Sequence, residues 1–112
     1  MVRGNNFNSY QKQSSQTAVY DSVDLVIYPA LGLFSEAGEV AGKVKKVLRD
    51  KGGNFLPEDK LEIADELGDV LWYCAMLAKE VDMNLGRIME DNLDKLADRK
   101  ARNRLQGDGD NR

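Results

Sequence analysis

The sequence predicts an all-α fold: an antiparallel bundle of about four helices in a single domain over residues 1–112, completed by oligomerisation. Apolar residues recur at helical spacing in two long stretches that follow Pro29 and Pro57. Turn signals at 51–53 and 82–84 separate the helices. A chain of 112 residues can form a core but is marginal alone, so association would help to bury its apolar faces.

The first two segments are the least distinctive. A short polar helix is expected from Phe7 to about Tyr20. On it, Tyr10, Gln11 and Thr17 form either a solvated face or contacts to a substrate. The apolar residues between Asp21 and Tyr28 fit a strand or a helical lead-in. Because no second strand is indicated, a helical or irregular connection is preferred.

The second helix begins at Pro29 and ends before a loop at 50–56. Its apolar residues share one arc: Leu33, Phe34, Ala37, Val40, Ala41, Val44, Val47 and Leu48. Four charged residues flank that arc: Glu36, Glu39, Lys43 and Lys46. A further stripe holds Ser35, Gly38 and Gly42. Each glycine costs a helix roughly 1 kcal/mol relative to alanine, so close approach of another helix or of a ligand is expected there.

The third helix is predicted from Pro57 to about Val81. One narrow stripe carries polar groups, namely Glu62, Glu66, Asp69 and Tyr73. The segment from Val70 to Ala78 is apolar nearly all round, which is typical of a helix buried in a bundle or a subunit interface. Trp72 lies on another side of this helix and is assigned to the core or an interface.

The fourth helix is predicted from about Leu85 to Asn103. One face carries Asn92, Lys95, Arg99 and Arg102, which form either a solvated charged face or a set of phosphate-facing donors. The terminal segments 1–6 and 105–112 are expected to be flexible.

The composition narrows the chemistry. A net charge of −3 argues against nucleic-acid binding, and no apolar run reaches the roughly 20 residues that span a membrane. The N-terminus lacks the apolar core of a signal peptide and the single Cys74 fits a reducing compartment, so a cytoplasmic location is expected. Histidine is absent, which excludes His-ligated zinc and His-dependent triads. Any metal must be held by oxygen atoms, as Mg²⁺ or Mn²⁺ is.

Two acidic pairs of the same spacing, Glu36/Glu39 and Glu66/Asp69, lie on the two long helices. An i, i+3 spacing puts both carboxylates of a pair on one side of a helix, and a turn at the glycines of 51–53 folds the helices back on each other. Four converging carboxylates would repel one another without a cation. The pattern therefore indicates either a divalent-metal site or acidic surface stripes paired with lysines.

The residues around these pairs resemble a known family. Gly32-Leu33-Phe34-Ser35-Glu36-Ala37-Gly38-Glu39-Val40, Lys45-Lys46, and Asp65-Glu66-Leu67-Gly68-Asp69-Val70-Leu71-Trp72-Tyr73 look like the MazG-like nucleotide pyrophosphohydrolases of the all-α NTP pyrophosphatase superfamily. Asn92-Leu93-Asp94-Lys95-Leu96, Arg99 and the Gly-Asp-Gly-Asp ending resemble its small single-domain members. The chain departs from members with a doubled Glu before the first pair, since Ser35 stands there, and this bears on the number of metals.

The resemblance implies hydrolysis of a nucleoside triphosphate, with dNTPs and dGTP-like purines favoured, to the monophosphate and pyrophosphate. By position, Mg²⁺ would be held by Glu36, Glu39, Glu66 and Asp69. One of these glutamates, or an outer acid such as Glu62, would accept the proton of the attacking water. Phosphate charge would be compensated by Lys43 or Lys46, Lys95 and Arg99, with Asn92 and Tyr73 as weaker substrate contacts. Family members assemble as homodimers or homotetramers.

Two alternatives stay open from the sequence. The first is phosphoribosyl-ATP pyrophosphohydrolysis, which uses a similar fold and would leave free dNTPs untouched. The second is a non-catalytic helical oligomer whose acidic groove binds a metal or a basic partner. In that case Glu39→Gln would leave function intact.

Overall fold

The computed structural model describes residues 6–21, 23 and 25–112, and no strand occurs among them. Four helices follow one another: α1 (Phe7–Ser15), α2 (Ile27–Lys51), α3 (Pro57–Glu80) and α4 (Leu85–Ala101). The prediction of an all-α fold with four helices is confirmed. None of the described helices combines the length and the apolar character needed to cross a membrane.

Helix α1 is shorter than predicted. It ends at Ser15, where the backbone tightens: the N–H groups of Gln16 and Thr17 donate to the carbonyls three residues before them. The Ser15 and Thr17 hydroxyls add hydrogen bonds to the carbonyls of Lys12 and Ser14. The described residues between α1 and α2 form turns, a bend, a 3-10 position at Val23 and irregular backbone, and α2 begins at Ile27, so the helical or irregular connection preferred from the sequence is found. Residues 1–5, 22 and 24, which include most of the N-terminal segment expected to be flexible, lie outside the described part.

Helices α2 and α3 form an antiparallel hairpin. Gly52 and Gly53 make the turn with φ values of 59° and 82°, a left-handed conformation that costs glycine little. Contacts between the two helices run in opposite order along α2 and α3, from Lys51–Asp59 beside the turn to Lys43–Glu62 farther along. The hairpin places the two acidic pairs of the sequence on facing helices.

An ion pair closes the turn end of the hairpin. Asp59 lies in the first turn of α3, and its carboxylate accepts a hydrogen bond of 2.9 Å from the backbone N–H of Leu56, the residue before the helix. It also accepts one of 2.7 Å from the Lys51 ammonium at the end of α2. Asp59 is only 8% exposed, so one carboxylate both caps α3 and fixes the two helix ends together.

The core of one chain lies at the other end of α3, where α1 and α4 pack. It comprises Ala75, Met76, Ala78 and Leu85, with Tyr10, Ala18, Tyr20, Trp72 and Met89 packed around it. The buried Gln11 side chain donates to the carbonyls of Ala75 and Met83 and accepts from the Leu85 backbone N–H. Gln11 is thus a structural link between three helices, and in this structure its polar atoms are used within the chain.

Much of the apolar arc of α2 is uncovered in a single chain. Phe34 is 82% exposed and Leu48 is 61% exposed, whereas Val47 is buried. Leu67 and Leu71 on α3 are about half exposed. The reason is that α1 and α4 pack on the C-terminal part of α3 and leave the rest of the hairpin without a third layer.

The glycines of α2 differ from the expectation. A Cβ added at Gly38 or Gly42 would meet open space, so the close approach of another helix predicted there does not occur within the described chain. The close approach is found at Gly32, where a Cβ would collide with the ring of Tyr73. The absence of a side chain at Gly32 therefore allows the Tyr73 ring to pack directly on the backbone of α2, close to Glu36 and Asp69.

Candidate functional site

Three acidic side chains meet across the α2–α3 hairpin. Glu36 from α2 and Glu66 and Asp69 from α3 each offer a carboxylate oxygen, and these atoms all lie within 4.8 Å of one another. Glu36 and Glu66 are half-buried, whereas Asp69 is exposed. The cluster is thus sheltered on the hairpin side and open on the other.

The electrostatics of the cluster favour a cation. The pKa of Glu36 is raised, first by burial and then by the negative charges of Asp69, Glu66 and Glu39. Magnesium takes oxygen ligands in octahedral geometry at about 2.1 Å, so adjacent ligand oxygens are about 3.0 Å apart and opposite ones about 4.2 Å. The oxygens of the cluster all lie within 4.8 Å of one another, which brings them near this range. The donor set therefore fits a hard divalent cation.

Glu39, the fourth acid expected at the metal, is exposed and does not belong to this group of oxygens. It is near enough for its charge to raise the pKa of Glu36. The structure thus brings three of the four predicted ligands together and leaves Glu39 at the edge of the cluster.

A cavity of about 300 Å³ opens directly beside the acids. It is lined by Thr17, Glu36, Asp69, Trp72 and Tyr73. The Trp72 indole N–H donates a 2.9 Å hydrogen bond to the Thr17 hydroxyl, and the Trp72 and Tyr73 rings meet edge to face at 4.9 Å. Trp72 thus lines the cavity in addition to packing on the core, a position that the sequence did not reveal.

Two further tyrosines, Tyr28 and Tyr20, continue the row of aromatic rings that Trp72 and Tyr73 begin at the cavity. The Tyr28 ring lies 6.4 Å from that of Tyr73 and stacks at 5.3 Å on Tyr20, whose hydroxyl donates to Glu80. Burial and the Glu80 carboxylate raise the pKa of Tyr20 to about 12. Burial also raises the pKa of Tyr73, helped by Tyr28 and by the charges of Glu36 and Asp69. Both phenols therefore stay protonated at neutral pH and can donate hydrogen bonds.

Lys43 and Lys46 lie farther toward the turn, on α2. They line a second cleft of about 160 Å³ together with Val47, Asp50, Lys51, Asp59 and Glu62. The Lys43 ammonium is 3.5 Å from the Glu62 carboxylate. Lys43 follows Glu36 by seven positions, a rise of about 10 Å along the helix axis. Both lysines share the hairpin with the acidic cluster but are not part of its cavity.

The predicted donors on α4 are not among the residues that line either cleft. Asn92 is exposed on α4. Lys95 and Arg99 contact the C-terminal segment, through the carboxylate of Asp110. The single chain therefore brings together the acids, Trp72 and Tyr73 but not the cations of α4.

Comparison with known proteins agrees with this architecture. Residues 29–103, which span the α2–α3 hairpin and α4, match the model of the MazG nucleotide pyrophosphohydrolase domain. The chain is also 47% identical over 109 residues to the Gene 37 protein of Mycobacterium phage L5, covering 92% of this chain and 96% of that protein. No solved structure matches significantly. The extent of the domain match, together with the resemblance of its acidic pairs, shows that the chain belongs to the MazG nucleotide pyrophosphohydrolase family.

Proposed function

We propose that this chain is a Mg²⁺-dependent nucleoside triphosphate pyrophosphohydrolase that converts a (d)NTP into the (d)NMP and pyrophosphate, with dNTPs, and dGTP-like purines among them, favoured. The observation that carries the proposal is the convergence of Glu36, Glu66 and Asp69 beside an aromatic cavity. Carboxylate oxygens suit Mg²⁺, and Mn²⁺ would substitute for it. The family of the chain supports the same reaction class.

In this proposal Glu36, Glu66 and Asp69 hold the cation. A bound divalent cation would supply charge for the phosphate oxygens and lower the pKa of the attacking water. Glu39 then accepts the proton of that water, because it lies beside the cluster, is exposed and is not committed to it. Lys43 and Lys46, on the same hairpin, compensate phosphates that extend from the acids toward the turn.

The nucleoside portion occupies the cavity next to the acids. Trp72 and Tyr73 offer it aromatic surface, and Trp72 is fixed in orientation by its hydrogen bond to Thr17. The Tyr73 hydroxyl, protonated at neutral pH, serves as a donor to sugar or phosphate. Asn92, Lys95 and Arg99 on α4 remain proposed substrate contacts that lie outside this cavity.

The apolar face of the hairpin supports assembly into a homodimer or homotetramer. We expect Phe34→Glu to lower the molecular mass measured by light scattering after gel filtration. Phe34 is exposed in one chain, and burying an unpaired carboxylate in an interface between two copies would be unfavourable. The control is Val19→Glu, a substitution at an exposed residue of the α1–α2 connection. A monomeric mass for the unmodified protein would contradict the proposal.

The decisive experiment is a (d)NTP panel with purified protein and Mg²⁺, assayed for phosphate with and without added inorganic pyrophosphatase. Release of phosphate only with the coupling enzyme, abolished by EDTA, is the expected result, because cleavage between the α and β phosphates yields pyrophosphate. The same panel ranks the bases. Absence of turnover on every (d)NTP would overturn the proposal, and phosphoribosyl-ATP would then be the next substrate to assay.

A further inference from the structure

Thr17 lies at the wall of the cavity, on the turn that follows α1. Its hydroxyl donates a 2.8 Å hydrogen bond to the Ser14 carbonyl and accepts one of 2.9 Å from the Trp72 indole N–H. A hydroxyl has one proton to donate and two lone pairs that accept. No third hydrogen bond reaches this hydroxyl from the residues that the structure describes. Its proton is therefore already used, and one lone pair is left for a ligand.

The position of this hydroxyl is fixed by the buried contacts of α1. The Gln11 side chain donates to the carbonyls of Ala75 and Met83 at 3.1 Å each and accepts from the Leu85 N–H at 3.0 Å. These bonds join α1 to α3, to the turn after α3 and to the start of α4. A shift of α1 would break them, so the acceptor at Thr17 is held in place before a ligand arrives.

Most of the polar groups around the cavity are acceptors. Glu36 and Asp69 contribute carboxylate oxygens, and the single N–H of the Trp72 indole is already used by Thr17. The Tyr73 hydroxyl keeps a proton, which the proposed function directs to sugar or phosphate. A base edge that carries only lone pairs would therefore face the Thr17 oxygen without a donor, and a polar group left unpaired away from water is destabilising. A base edge with an N–H group would be paired.

We propose that Thr17 is a specificity-determining residue whose hydroxyl oxygen accepts a hydrogen bond from an exocyclic amino group of the base. This role rests on the proposed function, because it places the base in the cavity that Thr17 and Trp72 line. An amino group projects from the ring and carries two N–H donors, so it reaches an acceptor at the cavity wall more easily than a ring N–H does. Guanine, adenine and cytosine carry such a group, whereas hypoxanthine, uracil and thymine do not. The site therefore discriminates against deaminated nucleotides.

The test uses uncharged deoxynucleosides in EDTA, so that phosphate, metal and turnover make no contribution. Deoxyguanosine is compared with deoxyinosine, and deoxycytidine with deoxyuridine; the second member of each pair lacks the amino group. In the pair that binds more tightly, we expect the amino-bearing member to have an affinity about tenfold higher in ligand-observed NMR titrations of the unmodified chain. That is the effect of one hydrogen bond whose loss leaves an acceptor unpaired.

Variants of Thr17 separate the hydroxyl from the shape of the side chain. Thr17→Val keeps the shape and removes the hydroxyl, so no preference for the amino-bearing member should remain. Thr17→Ser keeps the hydroxyl and should keep the preference. The matched control is Ser15→Ala, which removes a hydroxyl from the end of α1, outside the cavity, and should also keep it.

Four results would each overturn the proposal: equal affinities within both pairs, a preference that survives Thr17→Val, its loss in Thr17→Ser, or the absence of binding by all four nucleosides. Binding with the expected preference, but without turnover in the (d)NTP panel, would reject the enzymatic function alone.

Discussion

Replacing Glu66 by Gln is expected to reduce (d)NTP turnover about a thousandfold while the helical content stays unchanged. Glu66 is a central member of the cluster on α3, and its amide replacement keeps the shape of the side chain but removes the charge that holds the cation. The measurement is kcat/KM in the coupled pyrophosphatase assay, with circular dichroism to verify the fold. A second readout is the rise of Tm on adding Mg²⁺, which should be present in the unmodified chain and absent from the variant.

The matched control for that variant is Asp65→Asn. Asp65 precedes Glu66 on the same helix, is exposed and lies outside the cluster. Its replacement by Asn therefore removes the same charge without changing a member of the site. Activity of Glu66→Gln within tenfold of that control would rule out the assigned role of the cluster. It would favour the non-catalytic oligomer instead.

Replacing Asp59 by Ala is expected to lower Tm by about 5–10 °C, because it removes both the bond to the start of α3 and the ion pair to Lys51. The control is Glu58→Ala, which removes a neighbouring, exposed acid from the same helical turn. Equal thermal stability of the two variants would show that the Asp59 contacts contribute nothing to the hairpin.

The same ion pair predicts a pH dependence. Hydrogen bonds from the Lys51 ammonium and the Leu56 N–H hold the pKa of Asp59 below its usual range, and the pair with Asp59 raises the pKa of Lys51. A depressed carboxyl pKa stabilises the fold above about pH 4 and loses that effect as the pH falls through the folded value. A raised lysine pKa stabilises the fold below about pH 10, and this stabilisation is lost as the pH rises through the folded-state pKa. The difference in Tm between the unmodified chain and Asp59→Ala should therefore be largest between these limits and shrink in acid.

The fold and the acids of the site could be predicted because they depend on local rules. Helical periodicity, the glycines at the turn and the i, i+3 acidic pairs are sufficient to place Glu36, Glu66 and Asp69 on facing helices. The position of Glu39 outside the group of carboxylate oxygens could not be predicted in the same way, because it depends on how α2 and α3 pack against each other and not on spacing along one helix.

Long-range contacts account for most of what sequence reasoning missed. Trp72 was assigned to the core or an interface, yet it also lines the cavity, because α1 ends early and brings Thr17 beside it. Residues 105–112 contact α4 through the ion pairs of Asp110 with Lys95 and Arg99 and through the hydrogen bond from Arg102 to the Arg112 carbonyl, in a glycine-rich segment without periodicity. The flexibility expected for that segment stays a prediction.

The position of Trp72 has a practical consequence. The chain contains one tryptophan, so its fluorescence under excitation at wavelengths that tyrosine does not absorb originates at a single site, beside the acids and next to the proposed nucleoside cavity. The indole N–H is tied to a hydroxyl and one edge of the ring faces Tyr73, so a stacked base or a displaced Thr17 would change the spectrum directly. The protein thus carries its own optical reporter of site occupancy, which can be read without a label, without turnover and in the absence of metal.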